Sequence, residues 1–285
     1  MKIRSSFLPY ALPELTDNEI NAATEALKTL WWSRAAKTEQ FEKKFAEFTG
    51  AKYALAVNSC TAALHLAQIC SGISSDDEVI TTPITFCSTV NTIIHCGAKP
   101  VLVDIDYDTG LINADLIENA ITNKTKAIIP VHYAGQACDM DKINDIAKRH
   151  NLIVIEDAAH ALPTYYKGKI IGNGANAVAF SFYVTKNIST GEGGMLTTND
   201  ENLYNCAKVY SLHGMDKNAY NRYMQGGSHC YDVKFAGFKY NMTDIAASLG
   251  ICQLDRIEQM QNKRNKYANL YNERFKSSEL ISSLK

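Results

Sequence analysis

No run of 18 apolar residues occurs anywhere in this sequence, and the opening Met1-Lys2-Ile3-Arg4-Ser5 leads into no apolar signal core. Membrane spanning and secretion are therefore not expected, and the protein is expected in the cytoplasm. An excess of charge of one sign is also lacking: 29 Lys and Arg against 30 Asp and Glu leave a formal net charge of −1. Nucleic acid and anionic membrane are excluded as electrostatic partners, so an anionic ligand has to be held by local donors. No C-x-x-C pair occurs among the eight cysteines, Cys60, Cys70, Cys87, Cys96, Cys138, Cys206, Cys230 and Cys252, and most stand in apolar stretches. That distribution speaks against a zinc site or a disulfide frame, so no metal is expected and the thiols read as reduced and structural. Internal repeats and low-complexity tracts are missing as well. A phosphate-binding G-x-x-x-x-G-K-[ST] string is absent too, since Gly168-Lys169 is followed by isoleucine.

What is present is the composition of an ordinary globular protein, 46% hydrophobic and 21% charged over 285 residues. This length suffices for one large domain, or for one domain plus a piece of a second. Thr16-Asp17-Asn18-Glu19 fits a capping box, and Ile20, Ala23, Ala26, Leu27 and Leu30 follow at helical spacing. Phe41, Phe45 and Phe48 form a second helical stripe ended by Gly50, and such a stripe reads as core. From residue 52 short β-branched runs alternate with helical stretches. The runs are 52–57, 78–82, 99–105, 126–132 and 152–157; the helical stretches are 61–71, 85–96, 114–122 and 139–150. Runs this continuous suit strands buried on both faces, and the alternation predicts an α/β fold with a mainly parallel sheet flanked by helices. Two more strands are expected at 177–183 and 194–198, a glycine- and tyrosine-rich loop at about 214–240, and helices from Thr243 onward. In such sheets ligands collect beyond the carboxyl ends of the strands.

The run 152–157 ends in Glu156-Asp157 and is followed by Ala158-Ala159-His160. Taken alone, an acid there reads best as a helix cap. Lys186, 29 residues on, lies between the apolar run 177–183 and Gly191-Glu192-Gly193-Gly194, where backbone can approach a ligand closely. A loop lysine is usually a solvated charge. Together the pair suits pyridoxal 5′-phosphate, which is held through a lysine Schiff base and kept protonated at its pyridine nitrogen by a carboxylate. A phosphate could rest on Asn58-Ser59-Cys60-Thr61-Ala62-Ala63-Leu64, where a strand runs into a helix whose first amides are free. Plain capping by Ser59 or Thr61 is the competing reading. Ser181 could add a hydroxyl.

The string Ser181-Phe182-Tyr183-Val184-Thr185-Lys186-Asn187-Ile188-Ser189-Thr190-Gly191-Glu192-Gly193-Gly194 resembles the lysine motif of the DegT/StrS-type sugar aminotransferases. EDAAHA (156–161), PITF (83–86), PVHYAGQACDMD (130–141), LHGM (212–215) and GFKYNMTDIAASLG (237–250) are similar to the same family in the same order, over about residues 8–275. The resemblance implies the fold type I architecture of PLP-dependent transferases, with a seven-stranded, mainly parallel sheet, acting as a homodimer. It implies Lys186 as the Schiff-base lysine and Asp157 as the partner of the ring nitrogen. Phe86 would stack on the ring, and His160 would lie beside its phenolic oxygen. Cys60, Thr61 and Ser181 would hold the phosphate, and Asn241 would reach it from the neighbouring subunit. The implied substrates are glutamate (with its product 2-oxoglutarate) and a nucleotide-linked keto-deoxysugar, for a surface polysaccharide or glycan. Residues 1–250 would form the PLP-binding large domain. Residues 251–285 would be the start of a small, here truncated, C-terminal domain, the chain being either a fragment or a natural truncation.

Two departures from the family stand out. Arg34-Ala35-Ala36-Lys37 replaces a Thr-Gly-Pro-like turn, and Tyr183 stands where many members have histidine. Related PLP dehydratases carry histidine in place of the lysine, so Lys186 speaks against that activity. A non-catalytic regulatory or scaffold relative is the remaining alternative.

Overall fold

A computed structural model of the chain describes residues 5–174, 176–215, 232–281 and 283–284. Cys230 and the 216–231 part of the expected loop lie outside the described residues. Seven strands form one sheet: β1 (Tyr53–Val57), β2 (Glu78–Thr81), β3 (Lys99–Leu102), β4 (Thr125–Ile128), β5 (Ile153–Asp157), β8 (Ala177–Ser181) and β9 (Gly194–Thr198). Their order is β1-β9-β8-β5-β4-β2-β3. All neighbours are parallel except β9, which is antiparallel to both β1 and β8. Between β5 and β8 a small antiparallel hairpin, β6 (Tyr165–Tyr166) with β7 (Lys169–Ile170), stands apart from the sheet.

Burial on both faces follows from the strand period of two. In β1, Ala54 and Ala56 belong to one apolar cluster and Leu55 and Val57 to another. In β8, Val178 and Phe180 point to the first, Ala177 and Ala179 to the second. Alternate residues thus feed opposite layers, which is why these strands read as continuous apolar runs. The Phe41–Phe45 stripe of helix Ala36–Thr49 fills the first layer: Phe41 lies 5.3 Å from Phe182 and Phe45 lies 5.1 Å from Phe180, ring centre to ring centre. Gly50 ends that helix with φ 76°, a left-handed position where a side chain would be strained.

Several elements are shorter than the apolar runs suggest. The regular strand in the 99–105 run, the sheet edge β3, ends at Leu102, beyond which Val103 still donates its amide to Thr81 O at 2.8 Å and Ile105 bridges Ile112. The 114–122 stretch is one α-turn, Ala114–Ile117, continued by a 3₁₀ turn over Glu118–Ala120. Helix Asp17–Lys28 has the expected capping box at Thr16, but its apolar stripe does not form core. Ile20, Leu27 and Leu30 remain 50%, 44% and 80% exposed in the single chain, and Ala26 alone of the stripe is fully buried. The helix docks on helix Asp244–Asp255 through a polar contact instead. Glu19, 1% exposed, accepts hydrogen bonds from the Thr16 hydroxyl, from Arg256 Nη2 at 2.6 Å and from Gln253 Nε2 at 3.1 Å. Asp244 anchors the next turn, accepting from the Ala35, Lys37 and Thr38 amides and from the Thr38 hydroxyl. Ile251, Leu254, Ile257 and Met260 continue into the first apolar layer, so residues on both sides of position 250 share one core. No helix among the described residues is long and apolar enough to cross a membrane.

The Glu19 contact gives a pH signature. Burial by itself would raise this carboxyl, but the bonds from Thr16 and Arg256 outweigh it and hold it at about 2. A depressed carboxyl stabilises the fold above its unfolded value of about 4.3 and loses that contribution as pH falls toward 2. Denaturant unfolding of Glu19→Gln and the parent protein should therefore differ by on the order of 3 kcal/mol from pH 7 down to about pH 5, and by progressively less from there down to about pH 3. A gap that stays constant across that series would show the bonds to be energetically silent.

Candidate active site

The carboxyl ends of β1, β5 and β8 lie on one edge of the sheet, and the chain turns inward there three times. Asp157 ends β5 only 3% exposed, and a carboxylate buried that far needs donors. Two are supplied: the Thr89 hydroxyl at 2.7 Å from Oδ2 and the Ala159 amide at 3.1 Å from Oδ1. Thr89 sits in the first turn of helix Cys87–His95, which starts at Phe86. Ala158 in turn donates its amide to Ala179 of β8 at 2.8 Å, so the turn after Asp157 is fixed to the next strand.

Lys186 stands in the loop after β8. Bonds from Phe182 N to Gly193 O, Thr190 N to Phe182 O and Lys186 N to Tyr183 O, each 2.9 Å, fold this loop back on itself. The lysine is half-buried, and its ammonium is pushed down by burial, against the opposing pull of Cys60 and Asp157. The His160 ring is lowered by packing and then by the Lys186 charge, with Asp157 opposing. The Cys60 thiol is pushed well up by burial and then by Asp157, with Lys186 opposing. Asp157 and Lys186 act on both Cys60 and His160, so these four residues form one electrostatic cluster drawn from three separate turns. The adjoining cleft is lined by Tyr10, Tyr133, Ala134, His160, Thr185, Lys186 and Asn187.

At the end of β1, Ser59 caps helix Cys60–Cys70 by accepting from the Ala62 amide at 3.1 Å. Capping and an anion site are compatible here, because a cap engages one of several unpaired first-turn amides. Gly194, which opens β9, lies tight against this turn: a Cβ there would come within 2.4 Å of the Ser59 carbonyl carbon. Thr61 is half-buried in the first turn, and Ser181, directly opposite Gly194 in the β8–β9 pairing, is half-buried too. Phe86 is 71% exposed, so one aromatic face is open to a planar partner. Asn241 bridges Val57 at the end of β1, its Nδ2 donates to Met242 O at 3.2 Å, and its Oδ1 is buried with no partner among the described residues.

Thr89, the Ala159 amide, Tyr10 and Tyr133 were not singled out by the sequence reading. Thr89 carries no local signal, because its partner Asp157 is 68 residues away. Tyr10 has none either, being brought in from a segment without regular structure. The Arg34-Ala35-Ala36-Lys37 turn is taken up in packing: Arg34 pairs with Glu42 through both guanidinium ends, at 2.6 and 2.7 Å, and Glu42 also accepts from the Ala56 amide at 2.8 Å. Among the described residues no group of three His, Cys, Asp or Glu side chains could hold a metal ion.

Over 272 residues the chain is 54% identical to the spore coat polysaccharide biosynthesis protein SpsC of Bacillus subtilis, covering 95% of this chain and 70% of that one. The structure superposes with a TM-score of 0.90 and 35% identity on Spr1654 of Streptococcus pneumoniae, provisionally assigned as a sugar aminotransferase, in its PMP form, covering 95% of this chain and 73% of that one. The same protein has also been solved in a PLP form. PseC of Helicobacter pylori, an aminotransferase in the biosynthesis of pseudoaminic acid, matches with a TM-score of 0.87 and 32% identity, covering 95% of this chain and 71% of that one. The sequence pattern of the DegT/DnrJ/EryC1/StrS aminotransferases matches residues 13–285, and the chain belongs to that family.

Proposed function

We propose that this protein is a PLP-dependent transaminase that moves an amino group from glutamate to a nucleotide-linked keto-deoxysugar, in the cytoplasm and as a homodimer. The observation that carries the reading is a buried, doubly hydrogen-bonded Asp157 and a desolvated Lys186 in one cluster at the carboxyl edge of the sheet. The sugar class rests on the relatives, whose names place them in spore coat polysaccharide and pseudoaminic acid biosynthesis.

The residues fit the cofactor on three counts. A carboxylate with low exposure suits a pyridine nitrogen, because the charge is not dissipated in water. Burial holds the Lys186 amine nearer the neutral form that attacks a carbonyl. The first turn of helix Cys60–Cys70, whose start Gly194 packs against, carries amides that its cap does not use and that suit a phosphate. In this reading Lys186 would hold the cofactor covalently and Asp157 would pair with its ring nitrogen. Phe86 would stack on the ring, and His160 would lie by the phenolic oxygen. Cys60, Thr61 and Ser181 would hold the phosphate, with Asn241 reaching it from the neighbouring subunit. When bound, the group acts as an electron sink next to the amino carbon.

The chain's own residues supply the rest. Asp157 keeps a positive charge on the ring side of the site, Lys186 when released carries protons between carbon and nitrogen, and Tyr10 and Tyr133 wall the cleft in which the sugar is placed. The exposed Leu30, Trp31 and Trp32 support a second subunit close by.

Replacing Lys186 with alanine should abolish the yellow, borohydride-fixable adduct with PLP while leaving the circular dichroism and melting curve close to the parent. An adduct forming at the parental rate would mean that a different lysine is used. Replacing Asp157 with asparagine should still allow PLP to bind but slow the half-reaction with glutamate at least a hundredfold, since removing a charge-assisted bond of this kind costs about 3 kcal/mol. An unchanged half-reaction rate in stopped-flow would remove Asp157 from the role given to it here.

A further inference from the structure

The buried hydroxyl of Thr89 is in contact with the acid of this site. Thr89 is 0% exposed, and its hydroxyl carries a single proton. Three acceptors are in reach: Asp157 Oδ2 at 2.7 Å, the Thr85 hydroxyl oxygen at 2.7 Å and the Phe86 carbonyl at 3.2 Å. Of these only Asp157 is an acid, and a bond to an ionised oxygen is roughly twice as strong as one between neutral groups. The proton therefore goes to Asp157. The Thr85 hydroxyl lies 2.7 Å from the same Thr89 oxygen. With the Thr89 proton already committed, Thr85 has to be the donor of that bond. The outcome is a directed chain, Thr85 to Thr89 to Asp157, running from the half-buried mouth beside Phe86 to the floor of the site. Thr89 also stands in the first turn of helix Cys87–His95, so the positive end of that helix lies by the same carboxylate.

None of these contacts is needed to start the helix. Its first residue is preceded by Phe86, which makes no side-chain cap, and Phe86 O is already bonded by the Thr89 backbone amide at 3.2 Å, whether or not the hydroxyl, also 3.2 Å away, adds to it. A valine would fill the same space. The hydroxyl accordingly has its use at Asp157.

We propose that Thr89 is a positioning residue for this enzyme: its hydroxyl, itself oriented by Thr85, fixes the Asp157 carboxylate in the rotamer that meets the ring nitrogen of PLP. The proposal rests on the cofactor reading given above. With one oxygen tied to Thr89 and the other to the Ala159 amide, the carboxylate cannot rotate freely, and each oxygen keeps a lone pair for a further donor. Without the hydroxyl, the carboxylate gains a rotational freedom and loses a donor. The ring nitrogen is then held in its protonated form less firmly. A ring with less positive charge repels a proton on the Lys186-linked nitrogen less, so that nitrogen takes up a proton at higher pH.

The test compares the full chain loaded with PLP in three forms: parent, Thr89→Val, which keeps the volume, and Thr89→Ser, which keeps the hydroxyl. The pH midpoint of the yellow absorbance band should move upward in Thr89→Val, and the glutamate half-reaction should slow about tenfold, the effect of one lost bond to a charged group. Thr89→Ser should restore both to within about twofold, as expected if the hydroxyl and not the methyl matters. A packing role alone would lower the melting temperature of the cofactor-free protein without moving the band midpoint. Should Thr89→Val not fold, Thr89→Ala against Thr89→Ser gives the same comparison. Asp157→Asn serves as the reference. If it moves the midpoint while Thr89→Val does not, the Thr89 proposal fails alone. If Asp157→Asn is itself silent, the cofactor reading falls and this proposal with it. Adding Thr89→Val to Asp157→Asn should change nothing further, because the hydroxyl acts through that acid; an additive effect would overturn the proposal.

Discussion

A carboxylate buried at the end of the central strand β5 is the constraint around which this site is organised. Asp157 is 3% exposed, and an acid removed from water this far is tolerated only where other groups replace its hydration. The replacements come from two directions: the amide of Ala159, two residues on, and the hydroxyl of Thr89, far away in sequence. The first requires the chain to turn sharply after the strand. The second requires helix Cys87–His95 to begin directly above it. Both place backbone and side chains where a ligand at the sheet edge meets them.

The layers on either side make that edge rigid. Alternate residues of β1 and β8 feed two separate apolar clusters, so the strands cannot slip by one residue without exchanging both faces. The antiparallel β9 is inserted between β1 and β8, and its first residue, Gly194, comes within contact of the Ser59–Cys60 turn. A side chain there would push the first turn of helix Cys60–Cys70 away from β8. The glycine pair after Lys186 is thus a packing requirement as much as a loop signal. The same requirement brings the helix start, Ser181 and the lysine loop together.

Much of this was legible in the sequence, for definable reasons. The strands buried on both faces announced themselves as continuous apolar runs, and the Thr16 capping box and the Phe41–Phe45 stripe carry local patterns that tertiary structure did not override. Lys186 and Asp157 each have a bland reading alone, as a solvated charge and a helix cap, and only the two taken together single them out as site candidates. The errors came where the partner was remote. The edge position of β3 depends on strand order, which no local run encodes. Ile20, Leu27 and Leu30 have the spacing of a buried stripe, yet the helix is held by Glu19 and Arg256, residues 237 positions apart. Thr89 looks like any hydroxyl in an apolar helix until β5 is placed beneath it.

The balance of forces at Lys186 shows which effect governs the site. Two neighbours, Cys60 and Asp157, favour its charged form, and burial opposes them. Burial is the larger effect, and the thiol of Cys60 is itself driven toward its neutral form. Desolvation therefore acts on the two groups in opposite senses of charge: it leaves the lysine nearer a neutral amine and the thiol nearer an uncharged one. Asp157 keeps its two donors close to hand. A chain with net charge near zero has no overall field to impose such a pattern. It arises from which of these few groups has been given a hydrogen-bond donor, and Thr89 is the donor that no local sequence pattern revealed.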